Sequence, residues 1–144
     1  MARKLFIAAT SQDCGKTTTS LSLLHLARKK YRRIGFIKPV GPKPVLFEGR
    51  WMDKDAALIA KVYGLDADLE WMSPVVLQPG DTRRILDGDL SAESYQEKLL
   101  TACAALDKRC DFLVIEGAGH SGVGSVLGLS NAKVAHMLDA PVLM

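Results

Sequence analysis

The chain has 144 residues, of which 48% are hydrophobic and 24% charged, with a net charge of +3. This is the composition of one globular domain, long enough to bury roughly two thirds of the surface that its unfolded chain exposes. Three cysteines without metal-ligand spacing exclude a disulfide framework, and no apolar run approaches the roughly 20 residues of a membrane span. The basic run Arg28-Lys-Lys-Tyr-Arg-Arg33 carries no nucleic-acid recognition motif. It falls where a helix should end, and cations there offset the negative end of the helix dipole. Neither nucleic acid nor membrane is therefore expected as a partner. Met1-Ala-Arg-Lys4 runs directly into a strand-like stretch rather than a signal peptide, which implies a cytoplasmic protein.

Strand-like and helical stretches alternate along the chain. Lys4–Ala9 reads as a buried strand, and residues 16 to about 30 as a helix with Leu21, Leu23, Leu24, Leu26 and Ala27 on its apolar side. Ile34–Pro39 reads as a second strand stopped by Pro39, followed by a loop at Gly41-Pro-Lys-Pro44. A helix is predicted from Asp53 to about Gly64, with the glycine as its stop. Ser73–Arg84 holds too many turn residues to assign. Ser91 offers an N-cap and Glu93 an acidic first turn for a helix running to about Arg109, in which Leu99, Cys103, Leu106 and Cys110 share one face and point to the core. Asp111–Glu116 is a continuously apolar strand, as in a sheet covered on both faces. A glycine-rich loop spans Gly117–Gly128, a short helix Asn131–Leu138, and a further strand begins at Ala140 and runs to Met144. This alternation predicts an α/β fold: a three-layer sandwich with a mostly parallel sheet and helices on both faces. Because the chain stops inside its last apolar run, residues 1–144 are expected to be one domain of a longer polypeptide.

In an open parallel sheet, ligands bind outside the carboxyl ends of the strands. Three strands here end in chemically distinctive residues. The first leads into a loop ending Gly15-Lys16-Thr17, where backbone N–H groups and the positive end of a helix dipole favour a phosphate. In such a loop Lys16 reaches the outer phosphates and the Thr17 hydroxyl ligates Mg²⁺. The usual first glycine of the motif is missing, because counting back four residues from Gly15 reaches Thr10. The second strand ends at Lys38, and the third at Glu116 followed by Gly117-Ala-Gly119, a carboxylate placed to hold a metal beside glycines that permit close approach. Asp111 starts its strand and belongs at the opposite edge. Asp53 and Asp55 open a helix, where capping and metal binding are both open to each. Cys14 is read as a loop residue that binds through its backbone N–H rather than as a nucleophile. No catalytic role is assigned to His120, His25 or His136.

Four motifs in order, Ala9-Thr10 with Gly15-Lys-Thr17, Lys38-Pro-Val40, Asp55-Ala-Ala-Leu58 and Glu116-Gly-Ala-Gly119, resemble those of dethiobiotin synthetases. Those carry a phosphate loop one residue longer than usual, and Ala9 stands at the position of its first glycine. The resemblance implies a P-loop NTPase fold and ATP with Mg²⁺. It implies that the metal is held by Thr17, Asp55 and Glu116, and the nucleotide by Thr10, Asp13, Cys14, Gly15, Lys16, Thr17, Thr18, Gly117 and Gly119. Lys16 and Lys38 are implied to act on the charge of phosphoryl transfer. Beyond Gly119 the sequence His120-Ser-Gly-Val-Gly124 departs from the synthetase pattern for the diamine. The stretch Glu116–Asn131 is more similar to the synthetase-like domain at the N-terminus of phosphotransacetylase-family proteins. Two readings follow, a nucleotide-binding regulatory domain or an ATP-dependent ligase-type enzyme acting on a small substrate. The expected partners are nucleotide, a small-molecule ligand, and a second copy or further domains of the same polypeptide.

Overall fold

The computed structural model describes residues 1–9, 15–119 and 124–144, so Thr10, Asp13, Cys14 and His120 lie outside the described residues. Strand β1 (Arg3–Ile7) is followed by α1 (Lys16–Ala27), β2 (Ile34–Ile37), β3 (Val40–Gly41), β4 (Pro44–Phe47), β5 (Arg50–Asp53) and α2 (Lys54–Tyr63). Then come α3 (Leu69–Met72), β6 (Val75–Val76), α4 (Asp81–Leu86), α5 (Ala92–Arg109), β7 (Phe112–Glu116), α6 (Asn131–Met137) and β8 (Val142–Leu143). The central sheet has the order β2-β7-β1-β8, and its described pairings are all parallel.

Successive residues of a strand point to opposite faces, so a strand covered on both sides is apolar at every position. Phe6, Ile37, Leu113 and Ile115 enter one core with Leu99 and Leu106 of α5 and Val134 of α6. Their neighbours Ile7, Phe36 and Val114 enter a second core with Leu24 of α1 and Ile59 of α2. The three layers expected from the alternating pattern are thus helix, sheet and helix, and Cys103 and Cys110 are buried in the first core. The register pairs Ile7 with Glu116 and Ile37 with Ile115, so β1, β2 and β7 finish together at one edge of the sheet.

Several elements differ from the sequence reading. Helix α1 ends at Ala27, and its buried line is Lys16, Ser20, Leu24 and Ala27. Leu26 is 58% exposed, because α1 carries leucines around its circumference and only the line facing the sheet is covered. Pro39 ends β2, but the chain pairs again beyond it: β3 lies parallel to β6, inside the stretch left unassigned, and β4 forms an antiparallel hairpin with β5. Gly41 and Pro44 of the expected loop therefore belong to strands, β3 and β4, and only residues 42 and 43 lie between them. Ser91 stands at the N-cap of α5 without a side-chain capping bond, and instead its carbonyl accepts from the Ser94 hydroxyl. The basic run does follow a helix end: Arg28 caps α1 and lies over the Tyr63 ring, and Arg33 pairs with Asp111.

Candidate functional site

The site begins where the chain enters α1. Gly15 holds φ at +87°, a left-handed conformation that side chains resist, although a Cβ there would meet no atom of the described residues within 4 Å. The φ value alone gives glycine its place there. No side chain caps α1, and its first turn carries no acid, so the N–H groups of Lys16, Thr17 and Thr18 remain open to an anion. Lys16 is buried to 7% exposure, and its ammonium makes no hydrogen bond or ion pair among the described residues. A buried cation without a carboxylate is costly, and an anionic ligand relieves it.

The second group is centred on Glu116, the last residue of β7, which has no exposed surface. Its Oε1 accepts from Thr17 Oγ1 at 2.9 Å and from Lys38 Nζ at 3.0 Å, while Oε2 accepts from Ser20 Oγ at 3.0 Å. Lys38 Nζ also donates to Asp55 Oδ2 at 3.0 Å. The backbone of Lys38 is fixed by its N–H donating to the Met72 carbonyl at 2.8 Å. Burial is the largest influence on the Lys38 ammonium and pulls its pKa down. The nearby charges of Glu116, Asp53 and Asp55 outweigh burial and hold it above its ordinary value, so Lys38 is charged.

Asp53 and Asp55 differ in their contacts. Asp53 is buried and caps α2, with Oδ1 accepting from the Asp55 N–H at 2.9 Å. Burial pushes its carboxyl up against the pull of Lys38 and the backbone N–H donors. Asp55, the second residue of the helix, is the acid that accepts a hydrogen bond from Lys38.

Gly15, Lys16, Thr17 and Thr18 line one cavity of about 410 Å³ at this edge. Lys38, Asp55, Glu116 and Gly119 line the same cavity from the ends of β2 and β7 and the start of α2. Gly117 does not line it. Its α-hydrogen faces Asn131, where a Cβ would stand 2.7 Å from Oδ1, so this glycine is required by packing. Two contributors escape sequence reasoning. Ser20 lies one helical turn beyond Lys16, findable only by projecting α1 onto the site. Asn131 holds the loop after β7 by accepting from the Ala118 N–H at 2.9 Å and donating to the Ala118 carbonyl at 3.3 Å.

Among the described residues, no group of three or more His, Cys, Asp or Glu side chains is arranged to hold a metal by itself. The donors that do converge are the Thr17 hydroxyl and the carboxylates of Asp55 and Glu116, an all-oxygen set. Such a set fits Mg²⁺, which is characteristically bound by one or two carboxylates together with the phosphates of a substrate rather than by a complete protein cage.

Comparison with known proteins gives the same direction. Residues 3–144 match a family described as an AAA domain. The chain is 28% identical over 142 residues to the ATP-dependent dethiobiotin synthetase BioD of Aromatoleum aromaticum, covering 99% of this chain and 63% of that protein. It is 32% identical over 120 residues to the synthetase of the same name from Vibrio vulnificus, covering 83% of this chain and 52% of that protein. Over all 144 residues it is 26% identical to a phosphate acetyltransferase of Haemophilus influenzae, of which it spans 19%. The chain therefore spans between about half and two thirds of these synthetases. No helix among the described residues is long and apolar enough to cross a membrane.

Proposed function

Because the chain belongs to the AAA domain family, as a dethiobiotin-synthetase-like P-loop domain, we propose that its cavity binds ATP with Mg²⁺. The observation that carries this reading is that Lys16, Lys38 and Glu116, separated by up to 100 positions in sequence, line one cavity at one edge of the sheet. In this reading the N–H groups of the first turn of α1 and the Lys16 ammonium receive the phosphates. Thr17, Asp55 and Glu116 hold the metal, which neutralises phosphate charge when bound. Lys38 supplies a second ammonium from the end of β2, and two cations at one phosphate are the electrostatic arrangement that phosphoryl transfer uses. Thr10, Asp13 and Cys14 complete the loop in this reading.

The domain then serves as a nucleotide-binding regulatory unit within a phosphotransacetylase-family polypeptide. The match to phosphate acetyltransferase over every residue of the chain supports this, as does His120-Ser-Gly-Val-Gly124 in place of the synthetase diamine pattern. The second reading, an ATP-dependent ligase phosphorylating a carbamate or carboxylate of a small substrate, draws support from the matches to synthetases. Calorimetric titration with Mg-ATP, Mg-GTP and diaminopelargonate, on wild type and Lys16→Ala, tests both. Nucleotide binding lost in Lys16→Ala is expected, and equal affinity in the two proteins removes the loop assignment. Turnover of the diamine with CO₂ and ATP would replace the regulatory reading by the ligase one.

A further inference from the structure

We propose that Lys38 is a tethered stand-in for the divalent cation, so that metal is kept out of the site until a phosphate draws the lysine away. The inference rests on the nucleotide reading above and goes beyond it in assigning an order of entry. Lys38 Nζ sits 3.0 Å from both Asp55 Oδ2 and Glu116 Oε1, and Thr17 Oγ1 reaches the same Glu116 oxygen at 2.9 Å. The two carboxylates of the oxygen set for Mg²⁺ are thus already held by one ammonium, and the third group, Thr17, shares a Glu116 oxygen with it. That ammonium answers a need of the protein itself, because Glu116 is fully buried and carboxylates in such a place require a cation.

A metal bonded to these oxygens at about 2.1 Å would stand so close to Nζ that the two positive centres repel strongly in a poorly solvated site. One must leave. Lys38 is carried on a flexible four-carbon stem at the end of β2 and lines the same cavity as Lys16 and the start of α1, where the phosphates are proposed to lie. Turning from the carboxylates to a phosphate exchanges one set of anionic partners for another, and it vacates the oxygen set in the same movement. Phosphate and metal binding are then coupled positively, each favouring the arrangement that the other needs.

The test is Mn²⁺ binding to the full chain without nucleotide, followed by electron paramagnetic resonance of the free ion. Wild type and Lys38→Arg, which keeps a cation in place, should bind Mn²⁺ weakly. Lys38→Met should bind it at least about tenfold more tightly, since an adjacent positive charge has been removed. Adding Glu116→Gln to Lys38→Met should abolish the gain and so localise it. Melting temperature with and without Mg²⁺ gives an independent readout: the ion should stabilise Lys38→Met, or restore its folding, while leaving wild type little changed. Lys38→Gln serves as a second neutral variant. Equal Mn²⁺ affinity in wild type and the neutral variants, or no recovery of either neutral variant by Mg²⁺, overturns the proposal. Because no nucleotide is present, that outcome is separate from the nucleotide reading, which stands or falls with Mg-ATP binding to wild type and Lys16→Ala.

Discussion

Ser20 shows how much of the site depends on residues that touch no expected ligand. It has no exposed surface, and its hydroxyl is a donor to Glu116 Oε2 from α1, the helix that also carries Lys16 and Thr17. Replacing it by alanine leaves one oxygen of a buried carboxylate without that donor, a change worth about 1–3 kcal/mol. Ser20→Ala should therefore lower the unfolding free energy in urea by that order, and Ser20→Thr, which retains the hydroxyl, should lose less. Lys38 and Glu116 were visible in the sequence because a charged residue ending an apolar strand stands out against its neighbours. Ser20 was not, since a serine inside a helix carries no signature until the opposing strand is placed. The same blindness put Leu26 on the buried side of α1: leucine identity says nothing about which line of a helix meets the sheet.

Among the elements, α2 and the β4–β5 hairpin make opposite cases. Asp53 and Gly64 bound α2 by local chemistry, a side-chain cap at one end and a left-handed glycine at the other, so the helix was legible from its ends. The hairpin was not, because Pro44 and the preceding glycine and proline read as loop, and its turn lacks the Asn-Gly or Asp-Gly signal. The turn residues Glu48 and Gly49 have φ of +50° and +75°, the combination that a two-residue type I′ turn requires. Glutamate adopts that conformation at a cost, whereas asparagine tolerates it. Glu48→Asn should raise stability by a few tenths to about 1 kcal/mol, and Gly49→Ala should lower it by about 1 kcal/mol or more. Both are read by urea unfolding, and the opposite ranking would mean that the turn is not of this type.

For the molecule as a whole, the alkaline limit of stability is expected to be set by groups whose pKa folding raises. Burial, the largest cause in both, pushes the Cys103 thiol up to about 11 and the Cys110 thiol up to about 12, from an ordinary 9.0. Tyr95 is raised as well, chiefly by burial, and Lys38 is raised by its carboxylate neighbours against the pull of burial. Each group holds its proton to higher pH in the folded chain than in the unfolded one, so its contribution is complete below its ordinary value and lost as pH rises through its folded value. The unfolding free energy is therefore expected to fall from about pH 9 upward, with the thiol contributions spent over the intervals from 9.0 to about 11 and about 12. Cys110→Ala should flatten that fall, and an unchanged slope would contradict it. The layer order was legible at this scale because β1, β2 and β7 are apolar at consecutive positions, which only a sheet covered on both faces demands. The pairing of β3 with β6 was not, because two-residue strands leave no periodicity to read.

The central claim is that one triphosphate meets Lys16 and Lys38 at the shared edge of β1, β2 and β7. A crystal structure of the full chain grown with Mg²⁺ and a non-hydrolysable ATP analogue tests it most directly. The account predicts the outer phosphates within hydrogen-bond reach of both ammonium groups, with the metal on Thr17, Asp55 and Glu116. A nucleotide bound at the opposite edge, beside Arg33 and Asp111, would contradict it.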